Sequence, residues 1–277
     1  MIEYRPVDDS VMLLICLERR LKMTIEELVR KAGQMIKENS PHEVSNKTGR
    51  ANFVTEWDVK IQQYLISGLS ALYPDASFFG EEETAGNTHK IGHRCFFIDP
   101  IDGTTNYIFG YNHSCVSVGM SLDGEMVSGY VYNPFTDELY TAERGKGAYL
   151  NGRRLMIANA GLEEGIASFG CAGYNEDNID ALFSVCKELY LRSLSLREGG
   201  SAALDLCRVA SGANVVYVEM KLQPYDYAAS SVIVEEAGGV IGQVENGGIT
   251  LDRPCSILAG TPQAVEQVKE ICRRYLH

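Results

Sequence analysis

Hydrophobic residues recur every three or four positions in two stretches of the N-terminal region, which is the spacing of an amphipathic helix. The first stretch, residues 25–36, follows Thr24 and includes Glu27, and this pair forms the sequence of a helix capping box. The second stretch covers residues 53–73 and stops at Pro74, which cannot continue a helix. We therefore predict two helices in this region.

Apolar runs with turn signals between them predict a group of strands in the middle of the chain. The predicted strands cover residues 94–98, 113–122, 127–133 and 138–142. The pairs typical of hairpin turns are Asp123-Gly124 and Asn151-Gly152. In the second half, the pattern predicts helices at residues 178–189, 202–210, 226–237 and 263–275, with a strand at residues 215–219. The order of these elements predicts a mixed α/β fold with layered helices and sheets.

The chain of 277 residues has no internal repeat, no low-complexity tract and no linker rich in proline, glycine or serine. We predict a single domain over residues 1–277, with an N-terminal α+β part at about residues 1–150 and a C-terminal α/β part at about residues 151–277. No apolar run reaches about 18 residues, which predicts no transmembrane helix and no membrane partner. The apolar run at residues 11–17 lacks a basic segment before it, so we expect no signal peptide.

Composition and charge exclude some classes of protein. The 37 acidic residues outnumber the 25 basic ones, and the formal net charge is −12. This balance argues against a nucleic-acid partner, because such proteins concentrate Lys and Arg on one face. The eight cysteines are scattered with no C-x-x-C pair, which favours buried free thiols and a reducing, cytoplasmic location over a zinc site. His89 and His93 lie in a predicted loop around Gly92, so we predict no zinc site there either.

Two carboxylates close to a strand end form the most informative motif. Asp99 follows the apolar residues 96–98, Pro100 interrupts the strand, and Asp102 lies three positions after Asp99. Carboxylates with this spacing can converge on one hard cation, which prefers oxygen ligands. The two threonines that follow would begin a helix, whose free N–H groups favour a phosphate. The ordinary alternative is a turn and a helix cap without any ligand.

Three further acidic positions have ordinary explanations when each is considered alone. Glu81 and its acidic neighbours follow a strand-like stretch and Gly80, as in a solvated turn. Asp226 precedes a predicted helix, where it would act as the N-cap. Asp58 interrupts the second predicted helix, where a surface position is the default.

Considered together, these acidic segments resemble the inositol monophosphatase family of lithium-sensitive, magnesium-dependent phosphatases. The elements that carry the resemblance are Gly80-Glu81-Glu82, residues 99–106, residues 226–229 and residues 236–239. The match is collinear from about residue 24 to the C-terminus, and it includes residues 200–203 and the segment around Glu219. It implies a five-layer αβαβα sandwich, a phosphomonoesterase that uses about two to three Mg²⁺ ions, and a homodimer.

The resemblance also implies roles for individual residues. The implied metal ligands are Glu81, Asp99, the carbonyl of Ile101, Asp102 and Asp226. The residues implied to position and activate the attacking water are Glu81, Thr104 and Asp58. The implied substrate contacts are the amides of Gly103 and Thr104 for phosphate, Ala202 and Glu219 for hydroxyl groups, and Lys47 on a mobile loop before the second helix. Metal chemistry fits these roles, because divalent ions neutralise a phosphate monoester and lower the pKa of bound water.

Two positions depart from the family pattern. Trp57 precedes Asp58 where the family has a small or polar residue, and Tyr225 precedes Asp226 where the family has tryptophan. Tyr225 keeps an aromatic ring, so we expect little effect from this change. For Trp57 we expect a role in helix packing, with a place in the wall of the pocket as the alternative.

Several activities fit this scaffold. The implied substrate is inositol monophosphate or a similar small polyol or sugar phosphate. The alternatives are fructose 1,6-bisphosphate, NADP and 3′-phosphoadenosine 5′-phosphate, and a different class is a non-catalytic metal-binding or regulatory protein. Glu219 favours a neutral polyol, because a carboxylate repels a second phosphate, and the chain lacks the insertions expected for clamping a nucleotide. The backbone amides of Gly103 and Thr104, which the resemblance assigns to phosphate binding, argue against a glycosidase with paired carboxylates.

Overall fold

The structure is a computed structural model that describes residues 23–47, 53–171, 179–245 and 247–275. Its helices are α1 (Ile25–Glu38), α2 (Glu56–Leu72), α3 (Thr104–Ile108), α4 (Ile179–Arg192), α5 (Ala202–Ala210), α6 (Pro224–Glu236) and α7 (Pro262–Cys272). The first strands are β1 (Val44–Asn46), β2 (Phe53–Thr55), β3 (Ser77–Gly80), β4 (Arg94–Asp102), β5 (Cys115–Leu122), β6 (Glu125–Asn133), β7 (Glu138–Glu143), β8 (Gly147–Leu150) and β9 (Arg153–Arg154). The later strands are β10 (Ile166–Phe169), β11 (Ser195–Glu198), β12 (Asn214–Leu222), β13 (Val240–Gly242) and β14 (Cys255–Gly260).

Two large sheets organise the molecule. The first has seven strands in the order β3-β4-β5-β6-β7-β8-β9, and only its β3–β4 pair is parallel. The second has five strands in the order β11-β10-β12-β14-β13. In this second sheet β10 runs parallel to β11 and β12, whereas β14 runs antiparallel to β12 and β13. Strands β1 and β2 form a separate antiparallel pair.

The helices form three layers around these two sheets. Helices α1 and α2 pack on the outer face of the seven-stranded sheet, and α5 and α6 lie between the two sheets. Helices α4 and α7 cover the outer face of the five-stranded sheet. This order of layers is the predicted five-layer αβαβα sandwich, so the fold prediction is confirmed.

The position of a helix in the layers follows from its pattern of polar residues. Helix α1 buries one apolar face and begins with the predicted capping box, in which Thr24 Oγ1 accepts from the Glu27 amide at 3.2 Å. Helix α6 is buried on almost all sides, as expected for a central layer. Its polar Ser231 hydroxyl donates to the Ala228 carbonyl at 2.8 Å, so the helix can be buried without leaving this group unsatisfied.

The N-terminal elements were predicted more accurately than the C-terminal ones. Residues 53–73 are not one helix, because Phe53–Thr55 forms β2 and the helix begins at Glu56 after an extended Thr55 N-cap. Of the five strands of the second sheet, only β12 was predicted, and β10, β11, β13 and β14 were missed. These strands are short, and β14 is buried at every position, so it lacks the alternation that marks a strand.

Other expectations concern single residues and the chain ends. Among the described cysteines all are free, and all except Cys171 are buried, which confirms the prediction of free thiols. Trp57 packs against the core formed by α1, α2 and the first sheet, as predicted, and Lys60 Nζ lies 4.3 Å from the centre of its ring. The apolar run at residues 11–17 and the first residue of the predicted helix at 178 lie outside the described residues. None of the helices in the described ranges has both the length and the apolar character needed to cross a bilayer.

The contact between α6 and the first sheet depends on glycine. Gly119 and Gly129 are opposite each other on β5 and β6, beneath the backbone of α6. A Cβ atom on Gly129 would overlap the Ala229 carbonyl, and one on Gly119 would lie 2.9 Å from the Ala229 nitrogen. The two glycines therefore let α6 approach the sheet closely, and this sets the distance between the sheet and the helix that carries Asp226.

We predict that Gly129→Ala lowers the free energy of unfolding by at least about 1–3 kcal/mol, because backbone must move to admit the methyl group. Urea unfolding followed by circular dichroism measures this change. Gly248→Ala is the matched control, since a Cβ there meets no atom within 4 Å and Gly248 is exposed. Equal stability of the two variants would show that the close approach of α6 is not required.

Candidate active site

Four carboxylates converge where the first sheet meets α6. Strands β3 and β4 are parallel, so their carboxyl ends lie at the same edge of the sheet and bring Glu81 close to Asp99 and Asp102. Asp226, in the first turn of α6, completes the group. The three aspartates are buried, and all four carboxylates line one cavity of about 350 Å³.

The turn after β4 holds the central motif in one conformation. Asp99 Oδ1 accepts from the Ile101 amide at 3.0 Å, which confines this carboxylate at the end of the strand. Gly103 has φ = 88° and is the N-cap of α3. A Cβ atom on Gly103 would lie 3.0 Å from the carbonyl oxygens of Gly200 and His113, so the turn requires glycine for both its conformation and its packing.

Asp102 is held by the start of α5. Its Oδ2 accepts from Ser201 Oγ at 2.5 Å and from the Ala203 amide at 2.8 Å, and Cys115 Sγ lies 3.7 Å away. Burial raises the pKa of Asp102 to about 6, although the bonds from Ser201 and Ala203 oppose this rise. The carboxylate thus links the first sheet to the second half of the chain.

Asp58 is buried, so the default surface position was wrong. It is the third residue of α2 and completes a capping box in which its Oδ2 accepts from the Thr55 amide at 2.8 Å and from Thr55 Oγ1 at 2.5 Å. Its other oxygen accepts from Thr104 Oγ1 at 3.2 Å. Burial, followed by the charge of Glu81, raises the pKa of Asp58 to about 6.

Asp226 also differs from its predicted position. The N-cap of α6 is Gln223, Pro224 is the first helical residue, and Asp226 is the third. The Asp226 carboxylate accepts from the Gln223 amide at 2.7 Å, which is the reciprocal bond of a capping box. The N-cap prediction was therefore wrong by three residues, although the side chain does stabilise the helix start.

Lys47 lies at the edge of the carboxylate group. Its Nζ is 2.9 Å from Glu81 Oε1 and 2.5 Å from Glu82 Oε1. Burial lowers the pKa of Lys47, but the charges of Glu81 and Glu82 outweigh this and raise it overall. Glu82 is only 5% exposed, so it is not part of a solvated turn, and sequence analysis gave it no role of its own.

The electrostatics of the carboxylates suit a divalent cation. Burial raises the pKa of Asp99 well above its ordinary value, and the charges of Glu81, Asp102 and Asp226 raise it further. Carboxylate oxygens are the ligands that Mg²⁺ prefers. Across the described ranges, no three side chains of His, Cys, Asp or Glu already form a metal site. The fit to a hard cation rests on the chemistry of these donors, which are all carboxylate oxygens on one cavity.

The cavity contains most of the predicted site residues. Those that line it are Glu81, Asp99, Ile101, Asp102, Gly103, Thr104, Ala202, Glu219 and Asp226. Asp58 and Lys47 are not in the lining, and they reach it through Thr104 and Glu81 respectively. The predicted site residues did not include the lining residues Glu198, Ser201, Asp205 and Tyr217. The only available signals were that Ser201 is next to Ala202 and that Tyr217 shares a strand face with Glu219.

The two histidines that sequence analysis considered take part in ordinary surface contacts. His89 Nε2 lies 3.2 Å from Glu83 Oε1, and His93 Nδ1 lies 2.6 Å from Asp123 Oδ1. Neither histidine is among the residues that line the cavity.

Comparison with known proteins identifies the family. The pattern of the inositol monophosphatase family matches residues 18–275. Inositol monophosphatase 1 of Bos taurus is 34% identical over 255 residues, which cover 88% of this chain and 91% of the bovine protein. The fructose-1,6-bisphosphatase/inositol-1-monophosphatase of Aquifex aeolicus is 32% identical over 252 residues, which cover 88% and 92% of the two chains. The solved structure of a Thermotoga maritima IMPase has a TM-score of 0.83 at 29% identity, covering 93% of this chain and 98% of its own. The chain therefore belongs to the inositol monophosphatase family and is a phosphoric monoester hydrolase.

Proposed function

We propose that this protein is a Mg²⁺-dependent phosphomonoesterase that acts on inositol monophosphate or a similar small polyol or sugar phosphate. The observation that carries the proposal is the convergence of Glu81, Asp99, Asp102 and Asp226 on one cavity beside Thr104. An acidic cavity can hold an anionic phosphate when cations supply the positive charge. The name of the bovine relative supports the choice of substrate.

The residues that we assign to metal binding are Glu81, Asp99, the carbonyl of Ile101, Asp102 and Asp226. When bound, about two to three Mg²⁺ ions would neutralise the phosphate and lower the pKa of a coordinated water. Ser201 and the Ala203 amide orient Asp102 by holding its Oδ2, so its Oδ1 is available for ligation. Lys47 supplies positive charge to Glu81 in the structure, and Glu81 would exchange this partner for an ion.

Thr104 and Asp58 supply a route for the proton of the attacking water. Thr104 lines the cavity, and its Oγ1 lies 3.2 Å from Asp58 Oδ1, behind the cavity wall. Water gives a proton to Thr104 Oγ1 while the threonine proton passes to Asp58. Because the pKa of Asp58 is raised only to about 6, most of this carboxylate is ionised at neutral pH and able to accept.

The remaining cavity residues would bind the substrate itself. We assign phosphate contacts to the amides of Gly103 and Thr104, which lie at the start of α3. We assign the hydroxyl groups of the polyol to Ala202 and Glu219, which line the same cavity. Lys47 would approach the substrate from the loop before β2.

The family resemblance and composition support further parts of the proposal. We propose that the chain is a single domain, that it forms a homodimer, and that lithium inhibits it. The free thiols support a reducing, cytoplasmic location. Fructose 1,6-bisphosphate, NADP and 3′-phosphoadenosine 5′-phosphate are weaker candidates, because Glu219 lies in the cavity where a second anionic group would bind.

We predict that Asp102→Asn lowers kcat at least about 100-fold, because one anionic metal ligand is lost. The protein should remain folded, because the amide oxygen of Asn can still accept the hydrogen bonds from Ser201 and the Ala203 amide. Mg²⁺-dependent phosphate release from inositol 1-phosphate measures the loss, and a chelator blank defines zero. Glu163→Gln, an exposed change outside the cavity, is the control. A rate near that of the wild type at saturating Mg²⁺ would refute the assignment of Asp102.

Thr104→Ala should lower kcat by a factor of about 10²–10⁴ while metal affinity survives, because only the proton route is lost. Calorimetric titration with Mn²⁺ measures affinity beside the rate assay. Thr104→Ser keeps the hydroxyl and should restore most of the rate. If Mn²⁺ affinity instead collapsed in Thr104→Ala, the role of Thr104 would be structural.

Glu219→Gln tests the choice of substrate. If ring hydroxyls donate to this carboxylate, loss of its charge should weaken the binding of inositol phosphate about tenfold or more, since a hydrogen bond to a charged group contributes roughly 1.5–3 kcal/mol. For a bisphosphate substrate the same substitution should strengthen binding, because it removes a negative charge that would repel the second phosphate. The measured quantity is the ratio of kcat/KM for inositol monophosphate to that for fructose 1,6-bisphosphate. An unchanged ratio would mean that Glu219 does not face the substrate.

A further inference from the structure

A second group of carboxylates lines the cavity, apart from the four assigned to metal. Glu198 ends β11, Asp205 lies in the first turn of α5, and Glu219 lies on β12. All three line the same cavity as Asp102. We call these three residues the acidic wall. They belong to elements that carry none of the four carboxylates assigned to metal, so under the proposed function they would face the part of the substrate beyond its phosphate.

Resting on the proposed function, we propose that Glu198 and Asp205 make the acidic wall select substrates by charge. The wall excludes a phosphate monoester that carries a second anionic group, and it accepts one whose remainder is neutral or bears an ammonium group. Glu219 adds to this exclusion of a second anion, and its proposed acceptance of hydrogen bonds from substrate hydroxyls is a further contribution.

Asp205 has the strongest requirement for a partner. It is 4% exposed, and its Oδ2 has no hydrogen-bond partner among the described residues. A Cβ atom on Gly199 would lie 2.6 Å from this oxygen, so the glycine is what leaves room for the carboxylate. Burial, followed by the charges of Asp102, Glu198 and Glu219, raises the pKa of Asp205 to about 8. A positive or hydrogen-donating group would reduce the electrostatic repulsion among these carboxylates, and another anion would increase it.

Basic side chains lie near the cavity, but none of the described residues that line it is Lys, Arg or His. Lys47 pairs with Glu81 and Glu82, and Arg208 donates to Glu138 at 2.8 Å. Arg197 is the neighbour of Glu198, but its guanidinium donates to the Leu196 carbonyl at 2.9 Å. A second phosphate would therefore meet carboxylates in this part of the described structure, without a basic side chain to offset them.

Three hexose phosphates that share the same ring and 6-phosphate test the charge of the remaining substituents. Glucose 6-phosphate has a neutral remainder, glucosamine 6-phosphate carries an ammonium group, and glucose 1,6-bisphosphate carries a second phosphate. For the wild-type enzyme with Mg²⁺ we expect kcat/KM for glucosamine 6-phosphate to equal or exceed that for glucose 6-phosphate. The bisphosphate should be at least about tenfold poorer.

Glu198→Gln isolates the contribution of Glu198 to the wall, because Glu198 is exposed, lines the cavity and keeps its size in this change. This variant should improve the bisphosphate relative to glucose 6-phosphate at least about threefold and should lower the relative rate for glucosamine 6-phosphate. Asp205→Asn should move both ratios less than Glu198→Gln does at neutral pH, because a pKa of about 8 leaves most of the Asp205 carboxyl protonated there. Glu163→Gln, which is exposed and outside the cavity, should move neither.

Two results would overturn the acidic wall. One is equal kcat/KM for the bisphosphate and glucose 6-phosphate in the wild-type enzyme, and the other is ratios in Glu198→Gln that match those of Glu163→Gln. A different result would identify failure of the proposed function, namely no Mg²⁺-dependent phosphate release from any compound. Calorimetric binding of the same three compounds would then still test the wall, and equal affinities would refute it.

Discussion

The convergence of four carboxylates, three of them buried, is the constraint on which the rest of this structure depends. Asp99, Asp102 and Asp226 are buried beside Glu81, and each raises the free energy of the others when ionised. Burying an ionised carboxylate without a partner is strongly unfavourable. The surrounding residues therefore have to supply hydrogen bonds and positive charge. Ser201, the amides of Ala203, Ile101 and Gln223, and the Lys47 ammonium do so in the described structure.

Those partners also join the two halves of the molecule. Asp102 ends β4, whereas Ser201 and Ala203 begin α5, so the bonds between them connect the first sheet to the middle helical layer. Asn106 Nδ2 adds a second link, because it donates at 2.8 Å to the carbonyls of both His113 and Gly199. Gly103, in the turn after β4, and Gly200, before α5, have no side chain, which lets these two turns pack closely against each other. The same contacts that stabilise the carboxylates thus fix the relative positions of the elements that surround the cavity.

Much of this arrangement was predictable from the sequence, because its signals are local. The strand end at Asp99, the turn at Gly103 and the capping box at Thr24 each depend on neighbouring residues. The burial of Asp58 and Glu82 was not predictable in this way. It arises because distant elements cover them, such as the Gln62 side chain, which accepts from the Glu82 amide at 2.9 Å.

The C-terminal sheet and the acidic wall escaped prediction for related reasons. Strand β14 is buried throughout and has no alternating pattern. Asp205 lies in a helix turn whose sequence would suit an exposed acidic residue, and only tertiary packing places it in the cavity. A sequence pattern can locate a carboxylate on an element, but the charges that it meets depend on the assembly of several elements.

Thermal unfolding at increasing Mg²⁺ concentration and constant ionic strength tests the central claim most directly. If the buried carboxylates form a site for divalent cations, Mg²⁺ binds the folded chain and raises its Tm progressively. Ligand at about 100 times its Kd would add about 2.7 kcal/mol to the free energy of unfolding. A Tm that did not change with Mg²⁺, or that rose equally when Na⁺ replaced it at the same ionic strength, would contradict the account.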